Sequence, residues 1–170
     1  MLFNTNIYKN ADVCYHDVVP GSDILLLSDL LQNSENSFKN TCLYITSDDA
    51  SMSFAADSIR FFCPKINVFH LPAWDCLPFD RVPPRREIMA TRMASLQRMS
   101  EKETNKNVSL LITTVSAVLQ RVPSKEIIKN NYYKLSVGDQ INLDNLITFF
   151  LSNGYVRTGT VREPGEFAIR

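Results

Sequence analysis

The run at residues 108–114 (VSLLITT) constrains the fold more than any other feature of this 170-residue sequence. It is apolar without a regular alternation of polar residues, which predicts a strand buried on both faces. Such strands belong to parallel sheets, because the helices that connect parallel strands cover the sheet. A hydrophobic content of 45% is enough to build such a core and too high for a disordered chain. We therefore expect an α/β fold.

The segments around this run alternate between helix and strand patterns. In chain order we expect a helix at 24–31, a strand at 40–46, a helix at 50–62, a strand at 66–71, a helix at 87–99 and a short helix at 115–120. Ser22 or Asp23 is the expected cap of the first helix, and the stretch 47–49 (SDD) is a capping signal for the second. The helix at 87–99 has a methionine-rich stripe, which we expect to pack into the core. This order is typical of a parallel α/β domain.

A proline-rich segment separates the second strand from the third helix. Residues 72–84 carry prolines at 72, 78, 83 and 84, so they predict an ordered loop. We expect Trp74 with Asp75 to anchor this loop onto the core. The neighbouring basic cluster of Arg81, Arg85 and Arg86 adjoins an acidic residue, which favours intramolecular or solvated roles over nucleic-acid binding.

The character of the sequence changes after residue 123. A strand-like stretch at 132–135 precedes a helix at 143–152, which ends at Asn153 and Gly154. Two further strand candidates, 155–158 and 167–170, follow. We expect the chain to end in the middle of a second domain, because no turn or polar tail follows the last strand.

The zero net charge conceals two halves of opposite sign. Residues 1–80 hold 4 basic and 10 acidic residues (4 − 10 = −6), and residues 81–170 hold 14 and 8 (14 − 8 = +6). Asymmetry of this kind often marks an interaction surface.

Several site types are not expected. The stretch 18–24 (VVPGSDI) has one glycine, no lysine and an aspartate, so it cannot cradle phosphate. His16 and His70 are poor candidates for a catalytic base, and the cysteine spacings do not predict a zinc site. We expect no catalytic, cofactor-binding or metal-binding residues, reduced thiols, and neither a signal peptide nor a membrane span.

Three stretches carry a family resemblance. Residues 71–81 (LPAWDCLPFDR) with Glu87, Ile88, Arg92 and Met93, then 111–123 (LITTVSAVLQRVP) and 165–170 (GEFAIR), resemble the N-terminal region of bacterial transcription-repair coupling factors, Mfd. The resemblance extends from about residue 18 to residue 170. A Trp-Asp pair and a Leu-Pro pair inside a proline-spaced segment make it specific.

The resemblance implies a fold and a domain division. The corresponding region of these factors is similar to the repair protein UvrB. Residues 1–128 are then a degenerate RecA-like (P-loop-type) domain resembling UvrB domain 1a, a parallel sheet with helices on both faces and no functional phosphate loop. Residues 129–170 are the first part of a small α+β domain that binds UvrA, resembling UvrB domain 2. The DNA-gripping hairpin of UvrB corresponds here to the short proline-rich segment, so DNA clamping by that route is not expected.

The resemblance also implies a function. The chain would be a non-catalytic recruitment module that binds UvrA through Arg170. The sequence itself adds Arg157 and Arg162 as weaker candidates, because they lie on or beside the last two strand candidates and guanidinium groups suit partner carboxylates. The full protein would be a cytoplasmic, ATP-dependent DNA translocase that removes stalled RNA polymerase. ATP and Mg²⁺ would serve its motor domains, and RNA polymerase and double-stranded DNA would be its further partners.

Three other interpretations stay open. The chain could be a nucleotide-hydrolysing helicase or translocase domain, or a sequence-independent DNA-binding module. For the arginines, the alternative is that they only keep an exposed strand edge from pairing with other chains.

Overall fold

A computed structural model describes residues 14–19, 21–33, 42–77, 79–100 and 108–169 of the chain. Within that part the chain forms two compact units. The first comprises the described residues up to 70 together with 108–116, and the second comprises 71–100 and 117–169. Each compact unit combines two separate stretches of the chain, so the units do not test a single boundary along the sequence. The domain boundary expected after residue 128 therefore stays a prediction.

Helices and strands alternate through most of the chain. They are α1 (Ser22–Asn33), β1 (Cys42–Thr46), α2 (Asp49–Phe62), β2 (Asn67–Leu71), α3 (Arg86–Ser100), β3 (Ser109–Thr114), α4 (Val115–Val118), α5 (Lys125–Asn130), α6 (Leu143–Ser152), β4 (Val156–Arg157) and β5 (Glu166–Phe167). The predicted α/β fold is confirmed. The sequence pattern did not reveal α5.

The larger sheet has the order β1-β3-β2. β1 runs parallel to β3, in a register that pairs Cys42 with Leu110 and Thr46 with Thr114. Every residue of β3 is buried, as predicted for the central strand. In β1, by contrast, Leu43 and Ile45 are exposed. Successive side chains of a strand point to opposite faces, and Cys42 and Tyr44 are the ones that pack against the core.

The first unit has a core between α1, α2 and the sheet. Its fully buried members include Ile24, Ile59, Leu110 and Ile112. Asp48 caps α2, as predicted, and accepts a hydrogen bond from the backbone N–H of Ser51. By contrast, the expected caps of α1, Ser22 and Asp23, lie inside its first turn.

The second unit corrects the expectation for α3. Met89, Met93 and Met99 are exposed, whereas Arg92, Ser95, Leu96 and Ser100 are buried. Residues 92, 95, 96 and 100 share one helical face, and Met89 and Met99 lie within that same face, nearer the two ends of the helix. The apolar pattern misled because burial on this face follows the partners of Arg92 and not the methionines.

An aromatic cluster forms the core of the C-terminal segment. The ring of Phe150 lies 5.1 Å from that of Phe167 and 4.9 Å from that of Tyr155, between ring centroids. Residues 132–135 form no strand, so that prediction was wrong. Tyr133 instead packs its ring against Phe149, at 5.3 Å.

Candidate partner-binding site

β4 and β5 form a small parallel platform in the second unit. The backbone N–H of Val156 donates to the carbonyl oxygen of Gly165, and that of Thr158 donates to Phe167, both at 2.9 Å. Gly154 has a φ of +79°, in the left-handed region that favours glycine, and it lets the chain turn from α6 into β4. The aromatic contacts of Phe150 then hold the platform against α6.

The turn before β5 is organised by one carboxylate. Oε2 of Glu166 accepts hydrogen bonds from the backbone N–H groups of Arg162, at 2.8 Å, and Glu163, at 3.3 Å. These bonds, that from Arg162 above all, lower the pKa of Glu166. Arg86 of α3 adds ion pairs to Glu163, at 3.3 Å, and to Glu166, at 3.5 Å.

Two of the predicted contact residues lie on or beside this platform. Arg157 is in β4, opposite Phe167, and its side chain is exposed. Arg162 is exposed in the turn that Glu166 holds. Arg170 lies outside the described residues. The fold therefore brings Arg157 and Arg162 into one braced element, with both guanidinium groups on its surface.

A buried arginine fixes the start of the proline-rich segment. Arg92 is 1% exposed, and its guanidinium stacks over the ring of Trp74, 4.3 Å from the ring centroid. Its Nη1 donates to the carbonyl oxygen of Pro72 and, at 3.1 Å, to Oε1 of Gln120. The same Gln120 oxygen accepts the backbone N–H of Trp74, at 2.9 Å. Trp74 thus has the anchoring role that the sequence suggested, and Arg92 completes the anchor.

Asp75 closes the loop that follows. Its carboxylate accepts the Nε–H of Arg85, at 2.7 Å, and the backbone N–H of Arg85, at 3.2 Å. The side-chain bond is the main reason that the pKa of Asp75 is lowered. With Arg86 also paired to carboxylates, two of the three arginines in the basic cluster make intramolecular ion pairs. This arrangement leaves little positive charge available for phosphate groups.

The start of α1 is the other region of functional interest. Gly21 has a φ of +88°, and Asp23 lies in the first turn, where its carboxylate accepts a 2.7 Å hydrogen bond from the hydroxyl of Tyr44. Burial, together with this hydrogen bond and the charge of Asp23, raises the pKa of Tyr44 to about 12. A phosphate group at this helix end would meet a carboxylate, which opposes binding.

Comparisons with known proteins bear on the predicted resemblance. The chain is 26% identical over 144 residues to the transcription-repair-coupling factor of Rickettsia bellii, covering 85% of this chain and 12% of the relative. Against the factor of Haemophilus influenzae it is 23% identical over 154 residues, covering 91% of this chain and 13% of the relative. Against the factor of Escherichia coli the identity is 28% over 114 residues, with coverages of 67% and 10%.

The chain is similar to transcription-repair-coupling factors. The predicted resemblance is thereby confirmed. No protein-family model matches the chain. The chain spans about an eighth of the length of the first of these coupling factors, at 12%.

Two residues of this region have structural roles that the sequence did not predict. Arg92 was named only among the residues that carry the family resemblance, and Glu166 was not singled out. Two features of the sequence could have indicated the role of Arg92. It lies at helical spacing from Ser95 and Leu96, and the chain has a single tryptophan with whose ring it can stack. No local sequence signal indicates the role of Glu166, because the backbone N–H groups that donate to it come together only once the turn has formed.

Among the residues that the structure describes, no three or more His, Cys, Asp or Glu side chains lie close enough together to hold a metal ion. No helix in this described part of the chain has the length and apolar character needed to cross a bilayer.

Proposed function

We propose that the chain is a non-catalytic recruitment module of a transcription-repair coupling factor, and that it contributes to binding UvrA. The similarity to coupling factors over 85% of the chain supports the parent protein. The observation that carries the binding role is the exposure of Arg157 and Arg162 on the platform that Glu166 and Arg86 brace. A rigid support limits the entropy lost when an arginine engages a partner.

In this proposal the recognition chemistry is that of guanidinium with carboxylate. Arginine donates two parallel hydrogen bonds to a carboxylate, which fixes orientation as well as charge. The carboxylates nearest to Arg162 in the chain are already used, since Glu163 and Glu166 pair with Arg86. Arg162 therefore keeps donor capacity for a partner. Arg170, three residues after Phe167 of β5, is the third contact residue of the proposal.

The first domain of the proposal, residues 1–128, is a RecA-like domain that has lost nucleotide binding. The first turns of α1 and α2 support the loss of nucleotide binding, because each helix start carries a carboxylate of the chain itself. Asp23 is bonded to Tyr44, and Asp48 is bonded to the N–H of Ser51. We assign ATP and Mg²⁺ to motor domains elsewhere in the full protein, along with the contacts to RNA polymerase and double-stranded DNA. The proposed location is the cytoplasm.

The test is a binding titration of the full-length natural protein with UvrA from the same organism. We expect Arg157→Ala, Arg162→Ala and Arg170→Ala each to weaken binding, about two- to fivefold for a contact at the rim and roughly 30-fold or more for a buried one. Arg121→Ala is the matched control, since Arg121 is another exposed arginine of the second unit and lies outside the platform. Unchanged affinity in all three platform variants, with folding intact, would contradict the assignment.

The two rival functions have distinct signatures. A nucleotide-hydrolysing domain would bind ATP with Mg²⁺ at submillimolar concentration in a calorimetric titration of this chain, and we expect no such binding. A DNA-binding module would show DNA affinity that falls steeply with salt. The pairing of Arg85 and Arg86 with carboxylates argues against that signature.

A further inference from the structure

An open groove in the first unit is not used by the proposed function. It has a volume of about 720 Å³ and lies where the carboxyl end of β1 meets the starts of α1 and α2. Ligands of α/β domains commonly bind outside the carboxyl ends of strands, and this volume falls within the roughly 300–1,000 Å³ of known ligand sites. The position and the size are therefore those of a binding site.

Part of the groove wall is apolar and open to solvent. Phe54 of α2 is 60% exposed and Ile45 of β1 is 45% exposed, and both line the groove together with Val19. Large apolar side chains clustered around one concavity favour contact with a partner over contact with water. An apolar portion of the ligand is therefore expected against Phe54 and Ile45.

The lining of the groove also carries an acidic side chain. The carboxylate of Asp23 lines it and is held by the hydroxyl of Tyr44 at 2.7 Å. Ser47 and Ser51 also line it. The neighbouring carboxylate of Asp48 accepts hydrogen bonds from the hydroxyl of Ser47, at 2.7 Å, and from the backbone N–H of Ser51, at 2.8 Å. No positively charged side chain is among the described residues that line the groove.

These charges determine the class of ligand. The first-turn N–H of Ser51, which would otherwise attract an anion, is already occupied by Asp48. A phosphate or carboxylate ligand would face Asp23 without a compensating cation. A cation beside an apolar group matches both the carboxylate of Asp23 and the apolar side chains of Phe54 and Ile45. Because the groove is open to solvent, a chain segment can lie in it and continue beyond it.

We propose that this groove binds a short peptide segment of a partner protein in which an arginine or lysine adjoins an apolar residue. The cationic side chain pairs with Asp23, and the apolar side chain packs against Phe54 and Ile45. The groove shares no lining residue with the arginine platform. The proposed peptide binding can therefore be tested independently of the proposed UvrA contact.

The experiment uses the full chain and a fluorescently labelled short peptide of alternating leucine and arginine, followed by anisotropy. Two matched peptides replace arginine by glutamate or leucine by serine. We expect saturable binding of the leucine-arginine peptide and at least tenfold weaker binding of both substituted peptides. Equal binding of the glutamate peptide, or no saturable binding of the first peptide at millimolar concentration, would overturn the proposal.

Variants locate the site. Asp23→Asn keeps a hydrogen-bond acceptor for Tyr44 and removes the charge, so we expect a fivefold to tenfold loss of affinity, about that of one charged contact. Phe54→Ser should weaken binding at least tenfold by removing apolar contact. Asp57→Asn and Phe61→Ser, on exposed positions of α2 outside the groove, should leave affinity unchanged. Equal losses in these controls, or displacement of the peptide by ATP, would refute the assignment.

Discussion

Replacement of Arg92 tests the anchor of the proline-rich segment. Arg92→Ala removes the hydrogen bonds to Pro72 and Gln120 and the contact with Trp74. The two hydrogen bonds contribute about 1–1.5 kcal/mol each, and the cation–π contact about 1–2 kcal/mol. The buried side-chain carbons add about 2 kcal/mol. The gross loss is therefore about 5–7 kcal/mol.

Burial of the charge offsets part of this loss. No carboxylate within the described part of the chain lies in ion-pair distance of Arg92, and its buried Nε has no hydrogen-bond partner there. Burial lowers the pKa of Arg92, which is the sign of a disfavoured charged form. Relief of this penalty returns about 2–3 kcal/mol. We expect Arg92→Ala to lower the free energy of unfolding by about 2–5 kcal/mol.

The assay is urea unfolding followed by tryptophan fluorescence. The chain has one tryptophan, Trp74, and it lies directly beneath Arg92, so its emission reports on this anchor. Arg92→Met keeps most of the buried volume without the charge and should cost less than Arg92→Ala, by about 2 kcal/mol. Arg81→Ala, an exposed arginine of the same unit, should change the free energy of unfolding by less than about 0.5 kcal/mol. The reasoning fails if Arg92→Ala costs less than about 1 kcal/mol, or no more than Arg81→Ala.

Three further predictions concern the C-terminal segment. Gly154→Ala forces a side chain into a backbone with a φ of +79° and should cost about 1–2 kcal/mol in denaturant unfolding, whereas Gly159→Ala, without a positive φ, should cost less. Asn142→Ala removes the side-chain acceptor for the N–H of Asn145 at the start of α6 and should cost about 1 kcal/mol; an unchanged midpoint would argue against the cap. The pKa of Glu166 is lowered on folding, so its stabilising contribution is present above the unfolded pKa and is lost as pH falls through the folded pKa. The stability difference between the natural chain and Glu166→Gln, measured by unfolding at a series of pH values, should therefore be largest near neutrality and shrink in acid.

The elements that the sequence predicted well have local signals at their ends. Asp48 and Pro64 bracket α2, and Asn153 with Gly154 ends α6, which spans the predicted residues. Caps and breakers act within a turn of the chain, so they can be identified without knowledge of the fold. The strand predicted at 132–135 failed because a strand needs a partner that its own residues do not supply.

The sequence singled out Arg157 and Arg162, and the structure shows only that both are exposed. Their role as contact residues for UvrA stays a prediction. The bracing by Glu166 and Arg86 joins residues far apart in the chain, and no pattern of spacing indicates it. The same holds for the groove beside Tyr44, where a hydrogen bond spans from β1 to Asp23 of α1.

The sequence by itself determined the α/β alternation, the buried strand β3 and the similarity to transcription-repair-coupling factors, because these depend on periodicity, composition and linear motifs. Only the tertiary structure decided which residues of α3 are buried. Arg92 is inside and Met93 outside because the stacking ring of Trp74 and the side-chain oxygen of Gln120 converge on Arg92. An arginine can be buried where long-range partners accept its donors, and the position of such partners is a property of the folded chain.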